Sequence, residues 1–353
     1  MMHRSGPRPT LTSNQKALYR SQVTENSSHS VSGNITDIYK PIRAGLDRVQ
    51  HNLESVCEDN SPFVNTLLRH VLGTSGKGVR PAITLLASRF HKNDGYHAEI
   101  MASAVELLHV ATLIHDDTVD ASDFRRGKTT INNEWGSDTA VLLGDYLFAT
   151  SAVFVCDTEN IRVVRRFSET IVELSNGELD EVSTTYDYNQ NKEQYFHRIY
   201  CKTASLFTTA AETGAILSGA SEEVVQALKQ YGYNLGMAYQ IMDDILDLKG
   251  DSTETGKPEC TDLGRGILTL PAIIAMDRNR EENPIKMFCL EPTNSDYFSQ
   301  AINLLRDSII VEESLELADS FTSKAINCLD PLTHNDERES LEGLVTRMVR
   351  RRS

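Results

Sequence analysis

The chain has 353 residues, 40% of them hydrophobic, which is enough apolar material for one large core or two smaller ones. A formal net charge of -15 excludes sequence-independent nucleic-acid binding, because that mode relies on Lys and Arg to neutralise phosphates. Six scattered cysteines without a CxxC pair exclude a zinc module and a disulfide framework, and they point to a reducing compartment.

Residues 1–33 are rich in Ser, Asn and Thr and read as a disordered polar tail. The first acidic residue is Glu25, and Arg4, Arg8, Lys16 and Arg20 precede it, so an organelle transit peptide is the alternative reading of this stretch. No run of about 20 apolar residues announces a membrane span, so a cytoplasmic protein is expected, with at most peripheral membrane contact. From residue 34 to 353, apolar residues recur every three or four positions, as in Ile100, Ala104, Leu107, Leu108, Ala111 and Ile114. Strand-like alternation is nearly absent. This predicts one all-α domain over 34–353, interrupted by breakers at Gly73 to Gly78, Gly127, Asn189 to Asn191, Gly250 to Pro258 and Asn283/Pro284.

Along the chain, the first chemical feature is GTSGKGVRP, with Lys77 and Arg80 beside a turn. It is not a nucleotide-binding loop, since Val71 stands where that motif needs Gly and Gly78 where it needs Ser or Thr. HDDTVD follows, holding Asp116, Asp117 and Asp120, and MDDILD repeats the spacing with Asp243, Asp244 and Asp247. On a helix the first and last Asp of each set share a face one turn apart, and both sets end an apolar run, where the helix dipole disfavours anions. Such a grouping asks for a hard cation such as Mg²⁺, which takes one or two carboxylates and fills its remaining positions from substrate phosphates. Two clusters therefore suggest a diphosphate held between metals. Arg125–Arg126, just after the first cluster, are cationic points near a turn suited to phosphate oxygens, and Lys249, Lys257, Asp262 and Arg265, after the second, lie on a Gly-rich loop that reads as a cover for charged ligand or as plain polar surface.

HDDTVDASDFRRG, YQIMDDILD and GKGVRP, joined by KTASLF and TLPAI, resemble the all-trans isoprenyl diphosphate synthases, the polyprenyl synthetase family, from about residue 40 to the C-terminus. The resemblance implies a single large helical bundle around a deep central cavity, the isoprenoid synthase fold, with the two aspartate motifs facing each other across its mouth. It implies Mg²⁺ at Asp116, Asp117, Asp120, Asp243, Asp244 and Asp247. It implies Arg125, Lys202, Thr203, Gln240 and Lys257 at the allylic diphosphate, and Lys77, Arg80, His109 and Arg126 at isopentenyl diphosphate. The activity implied is head-to-tail condensation of isopentenyl diphosphate onto an allylic diphosphate, by a homodimer.

Thr112 and Ala111 lie about one helical turn before Asp116, where a growing tail would pass, and neither is aromatic. Small residues there resemble the long-chain members that make quinone side chains, with a floor sought deeper, near Phe148, Phe154 or Phe167. Shorter farnesyl or geranylgeranyl products, or a catalytic subunit that needs a partner, are the alternatives. A terpene cyclase fits less well because Lys77, Arg80 and a second aspartate cluster are present, and a regulatory subunit fits less well because no carboxylate is missing. The chain departs from the family pattern at Glu181, Ile267 and Leu268, where Gln and Lys are usual, and Arg265 is the residue available to restore the lost charge. The basic end, with Arg347 and Arg350 to Arg352, reads as a solvated helix end or as a cover for the isopentenyl site. His115 is given no role.

Overall fold

A computed structural model describes residues 35–58, 60–73, 78–248 and 260–349. Lys77, Lys249, Lys257, Arg350, Arg351 and Arg352 lie outside the described residues. Ile38–Ser353 form one compact unit and Met1–Asp37 another, of which only residues 35–37 are described.

The periodicity resolves into helices almost throughout. The principal ones are α1 (Arg43–Ser55), α2 (Pro62–Leu72), α3 (Val79–Ala87), α4 (Tyr96–Val119), α5 (Ser137–Cys156), α6 (Ile161–Ser183), α7 (Lys192–Ile199), α8 (Ser205–Ser218), α9 (Glu222–Leu248), α10 (Leu270–Arg278), α11 (Ser308–Asn327) and α12 (Asp336–Val349), with shorter pieces between them. The strands among the described residues form one hairpin, in which Phe124 pairs with Thr129 and Arg125 with Lys128. Its turn places Arg126 and Gly127 at φ 52° and 78°, the left-handed pair that a two-residue hairpin loop requires.

Most predicted breakers act as helix punctuation. Gly73 ends α2, Asn191 and Gln194 form a reciprocal capping box at the start of α7, and the Asn283 side chain caps the helix whose first residue is Pro284. The stretch 250–258 lies outside the described residues.

Helices α4, α8 and α9 form the middle of the bundle, where Leu107, Leu108, Ala111, Phe207, Ala211, Leu235 and Ile241 are inaccessible or nearly so. Glycines let α8 and the turn just before it approach their neighbours closely. A Cβ on Gly236 of α9 would lie 2.6 Å from the Ala204 Cα, and one on Gly214 would lie 2.2 Å from the Thr84 carbonyl oxygen of α3. Beside α8, a buried polar cluster ties in α6. Arg166 donates to Glu173 at 2.7 and 3.0 Å and to Thr209 at 3.0 Å, while the Thr170 and Thr209 hydroxyls lie 2.5 Å apart.

By length and composition alone, α4 and α5 could each cross a membrane. The most apolar stretch of α4 is 67% buried in the bundle and reads as a core helix; that of α5 is only 33% buried. Val141, Leu142 and Val153 of α5 are exposed, as are Val172, Leu179 and Val182 of α6. These side chains leave part of α5 and α6 apolar and exposed.

Candidate active site

Asp116 and Asp117 occupy the last turn of α4, and Asp120 caps it. Asp243, Asp244 and Asp247 occupy the end of α9. Both clusters thus stand at helix C-termini, and Asp116, Asp120, Asp243 and Asp244 line a single cavity of about 880 Å³. Asp117 instead faces a smaller neighbouring cavity and accepts a hydrogen bond from Arg125 Nε at 2.7 Å. Asp247 is not among the lining residues. The chain folds back over it, and its carboxylate accepts the backbone N–H groups of Thr261 and Asp262, both at 3.2 Å. Asp262 is thereby brought into the cavity wall beside the second cluster.

The cations gather around the same space. Arg80, Arg125, Arg126, Lys202 and Arg265 all line the large cavity. Lys202 sits in a π-helical turn, Tyr200–Ala204, between α7 and α8, a distortion often found at functional sites. A Cβ on Gly177 of α6 would lie 2.6 Å from the Lys202 nitrogen, so glycine is what lets α6 come this close. Glu178 and Glu181 then reach the Lys202 ammonium at 3.2 and 2.6 Å. Burial works against that ammonium, but Glu181 and Glu178 hold its pKa above the ordinary lysine value. Glu181 therefore adds a second counter-charge beside Glu178. Ile267 turns an apolar side chain into the cavity, and Arg265 lines it too and pairs with Asp120.

The second aspartate cluster is held from beneath. The Tyr195 hydroxyl donates to Asp244 at 2.6 Å, Gln240 donates to it at 2.8 Å, and Thr203 donates to Gln240 at 2.6 Å. Nothing in the sequence around Tyr195 marks this role, since its partner lies 49 residues away. Arg198, equally unforeseen, donates to Gln190 and to the Leu268 carbonyl, both at 2.6 Å, and pins the wall that carries Ile267.

On the opposite side, Arg80 Nη1 lies 3.1 Å from His109 Nε2, and its guanidinium stacks 4.5 Å from the centre of the Phe207 ring. Arg80 Nε is buried with no partner. Burial lowers the pKa of Arg80, and burial followed by the neighbouring Arg80 and Arg126 drives that of His109 well below its usual value, so His109 is neutral. An unpaired donor on a buried guanidinium leaves a position that an anion could satisfy.

The structure separates the two positions expected to govern product length. Thr112 lines the cavity, whereas Ala111 is fully buried outside its lining. None of Phe148, Phe154 and Phe167 lines it either; on α6 the lining ends with Leu174. His115 is structural: its Nε2 meets the Val141 carbonyl at 3.2 Å, and Gly144 of α5 makes room for its ring. At the basic end, Arg347 is exposed while its neighbour Met348 enters the cavity wall.

Whether these carboxylates suit a cation is decided by their environment. Burial, with Glu178 nearby, raises the pKa of Asp116 to about 7; burial raises Asp244 to about 7 despite its hydrogen bonds; and burial with Asp244 and Asp247 nearby raises Asp262 to about 8. Burial thus penalises these carboxylates as bare anions, and near neutrality they retain protons that a bound cation would displace. Among the described residues, no three His, Cys, Asp or Glu side chains converge tightly enough to hold an ion alone. Divided, oxygen-only donors that burial penalises as bare anions suit a hard divalent ion that completes its shell from a phosphate ligand.

A polyprenyl synthetase family model matches residues 61–305, a span that contains both aspartate clusters. The chain belongs to the polyprenyl synthetase family. It is 34% identical to a prenyl transferase of Cyanophora paradoxa over 320 residues, covering 89% of this chain and 98% of the relative. It is also 34% identical to the heptaprenyl diphosphate synthase component 2 of Geobacillus stearothermophilus, covering 87% and 96%. Among solved structures, a polyprenyl synthase from Caulobacter crescentus, complexed with calcium and isoprenyl diphosphate, superimposes with a TM-score of 0.84 at 32% identity, over 91% of this chain and 99% of that one. The all-α architecture is accordingly that of the isoprenyl diphosphate synthases, and the polyprenyl synthetase chain is a prenyltransferase.

Proposed function

We propose that the chain condenses isopentenyl diphosphate onto an allylic diphosphate and repeats the step to make a long all-trans polyprenyl diphosphate. The observation that carries this reading is the meeting, in one cavity, of carboxylates from both aspartate clusters with the Arg80, His109 and Arg126 group. Calcium and isoprenyl diphosphate in the Caulobacter relative support a metal-held diphosphate here, and the small Thr112 and the heptaprenyl relative support a long product.

Asp116, Asp120, Asp243 and Asp244 would hold Mg²⁺, with Asp117 and Asp247 turning to join them, and the metal would neutralise the charge that builds on the departing diphosphate. Lys202 and Arg125 stabilise that same charge through hydrogen bonds, while Thr203 and Gln240 fix the orientation of the group. Arg80 and Arg126 grip isopentenyl diphosphate, and neutral His109 serves as a hydrogen-bond partner rather than a third cation. The double bond of isopentenyl diphosphate attacks the allylic cation left when the C–O bond breaks, and the released diphosphate accepts the proton lost from the new chain. Leu113, Leu174, Ile199, Leu206 and Phe207 surround the reacting carbons with apolar surface, which keeps water from quenching the cation. Lys77 and Lys257 are assigned by motif to the isopentenyl and allylic sides respectively.

The exposed apolar faces of α5 and α6 support a homodimer. The activity is tested by incubating purified protein with Mg²⁺, farnesyl diphosphate and labelled isopentenyl diphosphate and sizing the products. Chains of seven or more isoprene units are expected; products no longer than geranylgeranyl diphosphate would overturn the long-chain assignment, and no condensation would overturn the reading itself.

A further inference from the structure

Lys202 enters the site on a turn that an ordinary helix does not make. The Ser205 N–H bonds the Tyr200 carbonyl, five residues back rather than four, so the helix carries one surplus residue between Tyr200 and Ala204. Successive residues of an α-helix are rotated by about 100°, so moving the surplus past Lys202 would swing its side chain round the helix by about that angle. The register of this turn decides whether Lys202 faces the diphosphate.

Helix α6 supplies the restraint. Glu173, Gly177 and Glu181 are spaced four residues apart on one face, and all three meet the turn or its lysine. The Tyr200 hydroxyl donates to Glu173 Oε1 at 3.0 Å, the turn's backbone packs against Gly177, and Glu181 reaches the Lys202 ammonium. Glu173 is itself fixed, since the buried Arg166, about two turns earlier on α6, donates to both of its oxygens at 3.0 and 2.7 Å. Through Nε the same guanidinium donates at 3.0 Å to Thr209, on α8 just past the turn. Arg166 thus holds the start of the turn through Glu173 and the helix after it through Thr209. Burial raises the pKa of Tyr200 to about 12, so its hydroxyl keeps its proton and remains a donor. Neither Tyr200 nor Glu173 lines the catalytic cavity, so any influence on turnover passes through Lys202.

We propose that Tyr200 and Glu173, backed by Arg166, are positioning residues that lock the π turn in register and so aim Lys202 at the departing diphosphate. The inference rests on the prenyltransferase reading and adds to it the device that orients one of its cations. Loss of the Tyr200 hydroxyl frees the surplus residue to shift, and Lys202 then spends part of its time out of reach. The isopentenyl subsite, built from Arg80, His109 and Arg126 on other elements, is untouched.

Tyr200→Phe is the sharpest probe, because it removes only the hydroxyl and retains the ring contact with Tyr233, whose centre lies 5.7 Å away. With farnesyl and isopentenyl diphosphates, its kcat should fall roughly tenfold or more while KM for isopentenyl diphosphate stays within about twofold. Calorimetry with Mg²⁺ and the unreactive farnesyl S-thiolodiphosphate supplies a second readout. Tyr200→Phe and Lys202→Ala should each weaken binding, and the double variant should bind no more weakly than Lys202→Ala alone, since the hydroxyl acts through that lysine. A purely structural role would add its own loss to that of the lysine; such additivity overturns the proposal, and so does full kcat in Tyr200→Phe. Should Tyr200→Phe fail to fold, Glu173 carries the test. Glu173→Ala should lose turnover, and Glu173→Gln, which still offers the hydroxyl an oxygen, should regain most of it. Wild-type kcat in Glu173→Ala, or an equal loss in both variants, overturns the proposal. Absence of condensation by wild type would instead refute the function proposed above.

Discussion

Asp116 and Asp244 carry the sharpest electrostatic consequence. Their folded pKa values, about 7, lie above the ordinary carboxylate range, so near neutrality the folded protein retains protons that the unfolded chain has released. The stability this contributes is present at low pH and is lost as pH rises through about 7. Metal-free protein should therefore melt at a higher temperature at about pH 6 than at about pH 8, and Asp244→Asn should flatten the difference. Thermal melts in chelator check this, and a melting temperature that instead falls on acidification over that range would contradict the burial of these groups. Mg²⁺ binding has the opposite dependence, because the ion must displace those protons: affinity should drop roughly tenfold per pH unit below about 7 for each proton displaced, as read by calorimetry. At Thr112 the expectation is steric. Thr112→Phe narrows the cavity below the first cluster and should shorten the product without abolishing turnover, and an unaltered product profile would show that the tail takes another path.

At the scale of helices, legibility follows sequence distance. The aspartate clusters could be read directly because each is a local pattern on one helix end, and Gly73, Asn191 and Asn283 because turn and cap chemistry is local as well. Tyr195 and Arg198 could not, because a buried polar residue on a helix looks like any other until its distant partner is in place. Thr112 and Ala111 were equivalent in the sequence, since a helical pattern defines a face but not its edge to within one residue. The π turn at 200–204 was invisible for a related reason: one surplus residue leaves no compositional mark. The glycine contacts are more tractable. Gly236→Ala would force the α9 backbone away from Ala204 and should cost roughly 1–3 kcal/mol of stability, as overpacking does. Urea denaturation measures that cost, and a variant as stable as wild type would mean that the α8–α9 seam tolerates a wider spacing.

Considered as a whole, the molecule has its chemistry at one end of the bundle and an uncovered apolar flank on α5 and α6. Leu179→Glu, at a position 66% exposed on that flank, should leave the fold intact but shift a dimer to monomers in sedimentation velocity. A dimer unaffected by the charge would place the interface elsewhere. The mouth of the large cavity has a thermodynamic consequence of its own. Two helices point their electronegative ends at it, each bearing aspartates, on a chain that is already strongly acidic. A bare pyrophosphate group approaching this mouth is repelled, and a bare divalent ion meets an incomplete set of oxygens. Neither visitor is well received without the other, and by linkage each must tighten the other's hold by the same factor. Under the proposed function, the entrance therefore admits a divalent ion and a diphosphate as a pair, and the level of free ion sets how much substrate can enter.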